Sequence, residues 1–275
     1  MKTKILITIS ILVLVIISVV VISPIIKPEN TIPELQSNLA ELQIDQGDTF
    51  IAISSNDTDG YNRWIPFYFH LQTESDDGIE AVEAFLNETF TEATLYSNSG
   101  DSLFTTEELI WSAFRLDTNS YNLTLVIVPD LQDFVIDELI QIDKIALSFN
   151  NETVEYMLPN YTIEARDTIK DDLYVAVSTM ETEFQDNLIA RVNYGIMGNT
   201  TSVESLELDY PTDFANIEKY EIDKINESAD GVKEYSMIIH FSAPNNKIVF
   251  RPFIKILYSD NNYEWVIPTV PAYIN

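Results

Sequence analysis

Side chains that could carry out acid–base chemistry are scarce in one type and abundant in another. The chain has 2 histidines, 44 Asp+Glu and no cysteine. His70 in FYFHLQ and His240 in MIIHFSA both lie in alternating patterns typical of strands, so we expect structural positions rather than a general base. Carboxylate pairs are so frequent here that they do not by themselves indicate glycosidase chemistry, which depends on the distance between two carboxyl groups. The sequence therefore predicts no catalytic residue and no cofactor.

Motifs of the common catalytic and phosphate-binding families are also missing from the sequence. It contains no G-x-S-x-G elbow, no H-E-x-x-H pair and only 7 glycines in total. A serine hydrolase elbow, a zinc protease helix and a glycine-rich phosphate loop each require one of these patterns. A triad assembled from distant residues is recognised only by its geometry.

One acidic loop has part of a calcium-binding pattern. Residues 55–60 read SNDTDG, with Asp57 and Asp59 spaced as in a D-x-D-G core. If Gly60 occupied the sixth position of an EF-hand, the twelfth would be Pro66, where a bidentate glutamate is needed. We therefore expect a hairpin turn and predict no metal site, while calcium binding by Asp57 and Asp59 stays open.

Asparagine side chains offer possible glycosylation sites. The N-x-S/T pattern marks a surface acceptor in an exported chain. It occurs seven times, at Asn56, Asn87, Asn122, Asn151, Asn160, Asn199 and Asn226.

The elements that position these residues follow from an internal repeat. Three pairs of segments match in the same order: Asp48–Ser54 with Asp172–Ser178, Val82-Glu83 with Val203-Glu204, and Ile145–Pro159 with Ile254–Pro268. The spacing between partners shortens along the chain, which places extra residues in the first copy between about positions 90 and 122.

The extra residues of the first copy have the pattern of a short helix. Thr105 and Glu108 have the spacing of a capping box, and Leu109, Trp111 and Phe114 could line one helical face. We therefore predict a helical insertion near 104–116. Trp111 is the best placed of the three tryptophans for a surface contact, but core packing is the favoured interpretation for it and for Trp265.

Each copy reads as a series of strands. Alternating apolar segments such as Tyr121–Val128 and Leu188–Tyr194 are separated by clusters rich in Asn, Asp, Gly and Ser. Such clusters favour tight turns, and their spacing is typical of a sandwich with about seven strands. The predicted fold class is all-β, with one β-sandwich domain over 46–163 and a second over 164–275.

Two stretches of the second copy resemble a known type of module. The late hairpin ILYSDNNYEWVIP and the segment IARVNYGIMGNTTSVESLELDYP are similar to immunoglobulin-like or fibronectin-III-like modules of prokaryotic cell-surface proteins. The resemblance implies two tandem Ig-like sandwiches that serve adhesion, spacing or partner binding. The Cys–Trp–Cys framework of antibody domains is absent from the sequence.

The start of the chain predicts attachment to a membrane. Residues 5–26 contain no charged side chain and are flanked by Lys2, Lys4 and Lys27. A helix of this length would extend about 33 Å, enough to cross a hydrocarbon core. We predict a single transmembrane anchor over 1–27, with a cleaved signal peptide as the alternative. Lys2 and Lys4 favour the cytoplasmic side, so the remaining chain is expected outside the cell membrane.

A short stalk is predicted between the anchor and the first sandwich. Thr31 and Glu34 have capping-box spacing, and Leu35, Leu39 and Leu42 follow at helical intervals. We therefore expect a stalk over 28–45 that contains a helix near 32–43.

Net charge excludes one class of partner. The chain has 15 Lys+Arg against 44 Asp+Glu, for a formal net charge of −29. Such a field repels nucleic acid and anionic lipid headgroups. We therefore expect a non-enzymatic surface or envelope protein that binds a protein or glycan outside the membrane. The alternatives are an exterior subunit of a membrane enzyme or transport complex, and a carboxylate-dependent glycan-processing enzyme.

Overall fold

The computed structural model is mostly β. It describes residues 41–56, 61–73, 78–130, 136–168, 175–185, 187–196, 203–211, 214, 217–227, 233–241, 247–260, 262–267 and 272–274. The predicted anchor over 1–27 and the stalk up to residue 40 lie outside this set. Among the described residues, no helix is both long and apolar enough to span a bilayer.

The first half contributes nine strands and a helix. They are β1 (Gln43–Ile44), β2 (Asp48–Ser54), β3 (Ile65–Gln72), α1 (Ile79–Thr89), β4 (Glu92–Tyr96), β5 (Ser102–Thr106), β6 (Leu109–Arg115), β7 (Ser120–Ile127), β8 (Leu139–Phe149) and β9 (Glu152–Arg166).

The second half contributes nine more strands. They are β10 (Val175–Gln185), β11 (Asn187–Ile196), β12 (Val203–Asp209), β13 (Ile217–Glu227), β14 (Lys233–Phe241), β15 (Ile248–Arg251), β16 (Phe253–Tyr258), β17 (Tyr263–Val266) and β18 (Ala272–Ile274).

The helical insertion predicted near 104–116 is wrong. Its residues form the end of β5 and all of β6, which pairs antiparallel with β7 from Leu109↔Ile127 to Arg115↔Tyr121. Residues of β6 alternate between the core and solvent, with Trp111 buried and its neighbours Ile110 and Ser112 exposed. Because burial against a partner strand selects the two-residue period, the local capping-box spacing does not decide the structure.

Two sheets enclose the first core. The four-stranded sheet has the order β1-β3-β7-β6 and faces a seven-stranded sheet with the order β18-β15-β2-β9-β8-β4-β5. Their inner faces meet in a cluster of buried aliphatic and aromatic side chains that includes Phe67, Phe69, Leu95 and Ile163. Helix α1 adds Val82 and Leu86 to the same cluster.

A second core lies on the opposite face of the seven-stranded sheet. The remaining sheets have the orders β10-β11-β14-β13 and β12-β16-β17. Met237 and Ile239 of β14 and Ile254 and Ile256 of β16 are buried in this core. Strand β2 adds Phe50 and Ala52, whereas its alternate residues Ile51 and Ile53 lie in the first core.

The seven-stranded sheet joins the two halves of the chain. Strand β15 pairs in parallel with β2, which also pairs in parallel with β9. Gly47 precedes β2, and a Cβ atom built there would lie only 1.8 Å from the carbonyl oxygen of Lys247. Strands from both sides of the boundary predicted at 163/164 share one sheet, and β2 and β15 are buried on both of its faces.

The longest sequence match corresponds to two hairpins. Strands β8 and β9 turn at Asn150 and Asn151, whose φ angles of 47° and 64° are left-handed. Strands β16 and β17 form the matching hairpin, closed by the Tyr258 N–H bonded to the Asn262 carbonyl at 2.9 Å. The shortest of the three matches, Val82-Glu83 with Val203-Glu204, does not hold, because Val82 lies in α1 and Val203 begins β12.

Candidate functional site

The outer surface of the four-stranded sheet carries an apolar groove. Strand β3 turns Phe67 and Phe69 toward the core, and the alternate residue Tyr68 toward the groove. The groove encloses about 270 Å³ and is lined by Asp45, Tyr68, Phe69, Ser112, Ala113, Phe114, Asn122, Leu123 and Thr124. We call this groove, together with Ile110, the open face.

Two large apolar side chains of the open face lie in water. Phe114 is 67% exposed and Ile110 is 46% exposed, on the same side of β6 because strand residues four apart point the same way. Phe114 pairs with Asn122 on β7, which in turn pairs with His70 on β3. An exposed aromatic ring beside polar amide and hydroxyl groups can bind a partner surface.

The polar groups of the open face suit recognition rather than proton transfer. Burial raises the pKa of Tyr68 to about 12, so its hydroxyl stays neutral at physiological pH. Asp45 forms an ion pair with Lys247. The distance from His70 Nδ1 to Asn122 Oδ1 is 3.5 Å, long for a hydrogen bond.

Helix α1 covers the edge of β6 beside the open face. The N–H of Trp111 donates to Asn87 Oδ1 at 3.0 Å, and Asn87 Nδ2 donates back to the Trp111 carbonyl at 3.4 Å. The N–H of Ala113 donates to Glu83 Oε1 at 2.8 Å. Glu83 and Asn87 lie one helical turn apart, so together they supply partners that an edge strand otherwise lacks.

Carboxylates gather in two polar clefts that the sequence did not predict. One cleft of about 660 Å³ is lined by Arg63, Glu92, Thr105, Thr106, Glu107, Glu108, Val128, Pro129 and Asp130. An adjoining cleft of about 440 Å³ is lined by Thr91, Glu92, Glu107, Ser148, Phe149, Asn151, Glu152 and Thr153. Their acids come from separate loops and strands, so sequence proximity alone could not have grouped them.

A guanidinium group is buried within the first core. Arg251 is fully buried; its Nε donates to the Ala52 carbonyl at 2.8 Å and its Nη2 to the Trp64 carbonyl at 2.5 Å. Burial lowers the pKa of Arg251 to about 10, against the opposing effect of the Tyr161 and Tyr68 hydroxyls. Among the described residues, no carboxylate pairs with it, and its role is structural.

A second arginine ties β9 to the second half. Arg166 pairs with Glu164 at 2.5 Å and with Asp209 at 2.7 Å, and its guanidinium lies 4.4 Å from the rings of both Phe253 and Trp265. Burial alone would lower the pKa of Arg166, but the hydrogen bonds and charges of Asp209 and Glu164 outweigh it and raise that pKa. These contacts are those of a structural junction.

The two histidines lie apart on different sheets. His70 is half-buried on β3, and His240 is half-buried on β14, where its Nε2 is 3.9 Å from Glu221 Oε1. No cluster of three or more His, Cys, Asp or Glu side chains suited to a metal ion occurs in the described part of the chain. Asp57 and Asp59 lie outside the described residues.

Trp111 is buried in the first core, which agrees with the core packing favoured from the sequence and not with the surface contact considered beside it. Its ring packs 5.4 Å from Phe69 and 5.3 Å from Phe90. Trp265 is half-buried against Arg166. The exposed aromatic ring of this region is that of Phe114, which we predicted on one face of a helix. The alternation of residues 109–115, interpreted as a strand, would have predicted that Phe114 and Trp111 point to opposite sides.

The predicted glycosylation sites differ in their surroundings. Asn87, Asn151 and Asn160 are exposed, whereas Asn56 and Asn122 are half-buried. Asn199 and the side chain of Asn226 lie outside the described residues.

Comparison with known proteins adds no assignment. No family model matches the chain, and no curated protein matches it.

Proposed function

We propose that this chain is a membrane-anchored, outward-facing protein that binds a protein or glycan partner through its open face, without catalysing a reaction. The observation that carries the proposal is the 67% exposure of Phe114 beside the apolar groove. Leaving a phenyl ring in water forgoes about 1.5–3 kcal/mol of burial free energy, which a partner can recover. Aromatic side chains are enriched at such contacts.

The strand orders support the immunoglobulin-like part of the proposal. In that fold the strands, lettered along the chain, form an A-B-E-D sheet and a C-F-G sheet, which can be extended by C′. In the first half, β1-β3-β7-β6 follows the order A-B-E-D, and β9-β8-β4-β5 follows G-F-C-C′. Strand β2 is an addition beside β9.

The strand orders of the second half also support an immunoglobulin-like sandwich. Here β10-β11-β14-β13 follows A-B-E-D, and β12-β16-β17 follows C-F-G. The first half has β2, α1 and β5 in addition to the counterparts of these seven strands, and β5 lies within the interval from about 90 to 122 to which the sequence assigned the extra residues. Two equivalent sandwiches in tandem favour a spacing or binding role, as in the surface modules that the sequence resembles.

Outward orientation rests on the sequence. The uncharged residues 5–26 follow Lys2 and Lys4, which favour a cytoplasmic start. A net charge of −29 suits a soluble exterior and disfavours nucleic acid or anionic lipid as the partner.

Photo-crosslinking on intact cells tests the proposal. A photoreactive residue replaces Ser112, an exposed position of the groove, in the full chain and in its Phe114→Ala variant. We expect a discrete crosslinked partner whose yield falls at least five-fold with Phe114→Ala. Met157→Ala is the matched control, because Met157 is 68% exposed but lies on β9, away from the open face.

Two results would contradict this proposal. An equal crosslink yield from the Phe114→Ala variant would show that the open face is not the contact. Loss of the partner only when residues 1–27 are removed would favour an exterior subunit held by its membrane segment.

The acidic clefts favour a second candidate function. Glu92, Glu107, Glu108 and Asp130 around one cleft could supply the acid and base of a glycan-processing enzyme. Release of reducing sugars from surface glycans by the wild type, and its loss in Glu107→Gln and Glu108→Gln, would support this candidate over the binding proposal.

A further inference from the structure

Asn56 uses its carboxamide to hold the end of the first half. Its Oδ1 accepts from Ser54 Oγ at 2.8 Å and from the Thr168 N–H at 3.1 Å, and its Nδ2 donates to the Thr168 carbonyl at 2.8 Å. A glycan on Nδ2 would replace one of its hydrogens and crowd this contact. Asn56 is therefore a structural residue.

The carboxamide of Asn87 is also fully hydrogen-bonded. Both hydrogens of its Nδ2 have acceptors, the Glu83 carbonyl at 2.8 Å and the Trp111 carbonyl at 3.4 Å. Its Oδ1 accepts the Trp111 N–H, which closes the edge of β6. A glycan here would open the covered edge, although the side chain as a whole is exposed.

Asn122 lies inside a sheet, whereas Asn160 lies at an irregularity of β9, where its φ angle is 31°, just before residues that are paired. Asn122 is half-buried on β7, which pairs with β3 on one side and β6 on the other. Asn160 is exposed but precedes the fully buried Tyr161, and Thr162 is paired with both Phe50 and Gln141. A transferase that grips all three residues of either sequon would have to separate a strand from partners on both of its sides.

Asn151 is less restrained, because it lies at a hairpin turn and, among the described residues, Glu152 and Thr153 pair only with Phe149 and Ser148 of β8. It forms the turn between β8 and β9 with Asn150, and both asparagine side chains are exposed. Glu152 and Thr153, which complete the sequon, are also exposed, at the first residues of β9. The turn borders the 440 Å³ cleft, which leaves room for a first sugar beside Phe149.

We infer that Asn151 is the glycan acceptor of the folded chain among the described sequons, and that Asn56 and Asn87 are not acceptors. The co-reactant is an oligosaccharide linked to a lipid diphosphate. Asn151 Nδ2 forms a bond to the anomeric carbon, the bond from that carbon to the diphosphate oxygen breaks, Nδ2 loses one proton, and the lipid diphosphate leaves. In a cell the reaction rests on the proposed outward orientation, since the donor is used on that side of the membrane.

An assay with purified components separates this inference from the proposed function. The folded full chain and a protease digest of it are incubated with a transferase that accepts N-x-S/T and with its lipid-linked oligosaccharide. Mass spectrometry then measures the occupancy of each sequon. We expect every sequon to be modified in the digest, and Asn151 to be modified at least ten-fold faster than Asn56 or Asn87 in the folded chain.

Matched variants sharpen the assay. Thr153→Ala removes the sequon but keeps Asn151 in its turn, so modification of Asn151 in the folded chain is expected to disappear. Thr89→Ala removes the Asn87 sequon and is expected to leave the modification rate of Asn151 unchanged. Equal rates at Asn56, Asn87 and Asn151, or an unmodified Asn151 in the folded chain, would overturn the inference. Because the assay does not involve a cell membrane, failure of the predicted orientation would not affect its result.

Discussion

Arg251 shows how one residue links the two halves of the chain. Its strand, β15, belongs to the second half, yet its guanidinium lies in the first core and donates to the carbonyls of Ala52 and Trp64. Burying this charge is unfavourable, as its pKa of about 10 indicates, while the two hydrogen bonds and the packing of its aliphatic stem are favourable.

The balance at Arg251 predicts different outcomes for two substitutions. Arg251→Met keeps most of the packed volume and removes the buried charge, so we expect it to cost at most about 2 kcal/mol of unfolding free energy. Arg251→Ala also leaves a cavity, and we expect a loss of about 3–5 kcal/mol. Urea denaturation measures both; equal losses would mean that the two carbonyl bonds outweigh packing.

At the scale of elements, helix α1 acts as a cover for a sheet edge. An uncovered edge strand presents unpaired backbone groups that can pair with another chain. Asn87 and Glu83 meet the outward N–H groups of Trp111 and Ala113, while Val82 and Leu86 of the same helix fill the first core. The sequence predicted extra structure in this copy but placed the helix over the end of β5 and β6, whereas the helix of this copy precedes β4.

Removal of the Asn87 carboxamide tests this cover. We expect Asn87→Ala to lower the unfolding free energy by about 1–2 kcal/mol, because two backbone groups of Trp111 lose their partner. Self-association, followed by light scattering, should rise because the edge of β6 is uncovered. Glu88→Ala, an exposed neighbour on α1, is the control; an Asn87→Ala chain as stable and as monomeric as this control would contradict the role.

At the scale of the whole molecule, the two cores share one sheet. Phe250 of β15 packs in the second core against Phe214 at 5.2 Å and Phe241 at 5.6 Å, while the adjacent Val249 lies in the first core. Strand β2 is divided between the cores in the same way. Cores on opposite faces of one sheet cannot lose it independently, so we expect them to unfold together.

Phe250→Ala tests this coupling. We expect a loss of about 3–5 kcal/mol of unfolding free energy, as for other buried phenylalanines. Hydrogen exchange should accelerate in β7 of the first core as well as in β14 of the second. Unchanged protection of β7 would show that the two cores unfold separately, and Met157→Ala on the surface should change neither.

Local patterns in the sequence account for the β class and its hairpins. Alternation of apolar residues and Asn-rich turns depend on neighbours within a few positions, so the β8–β9 and β16–β17 hairpins are recognisable as a matching pair from their residues alone. The uncharged run at 5–26 is local in the same sense. The assignment of 109–115 failed because a capping-box spacing and a strand alternation coexist there, and only pairing with β7 selects between them.

Tertiary structure alone decided the rest. Two contacts join residues that are distant in the chain: the parallel pairing of β15 with β2, and the hydrogen bond from Trp111 on β6 to Asn87. The exposure of Phe114 depends in the same way on how the sheets assemble. Such contacts depend on which apolar face finds a partner and which edge is left open, and these are properties of the assembled sheets. The sequence by itself therefore determined the kinds of element, whereas their packing determined which side chains remain available to a partner.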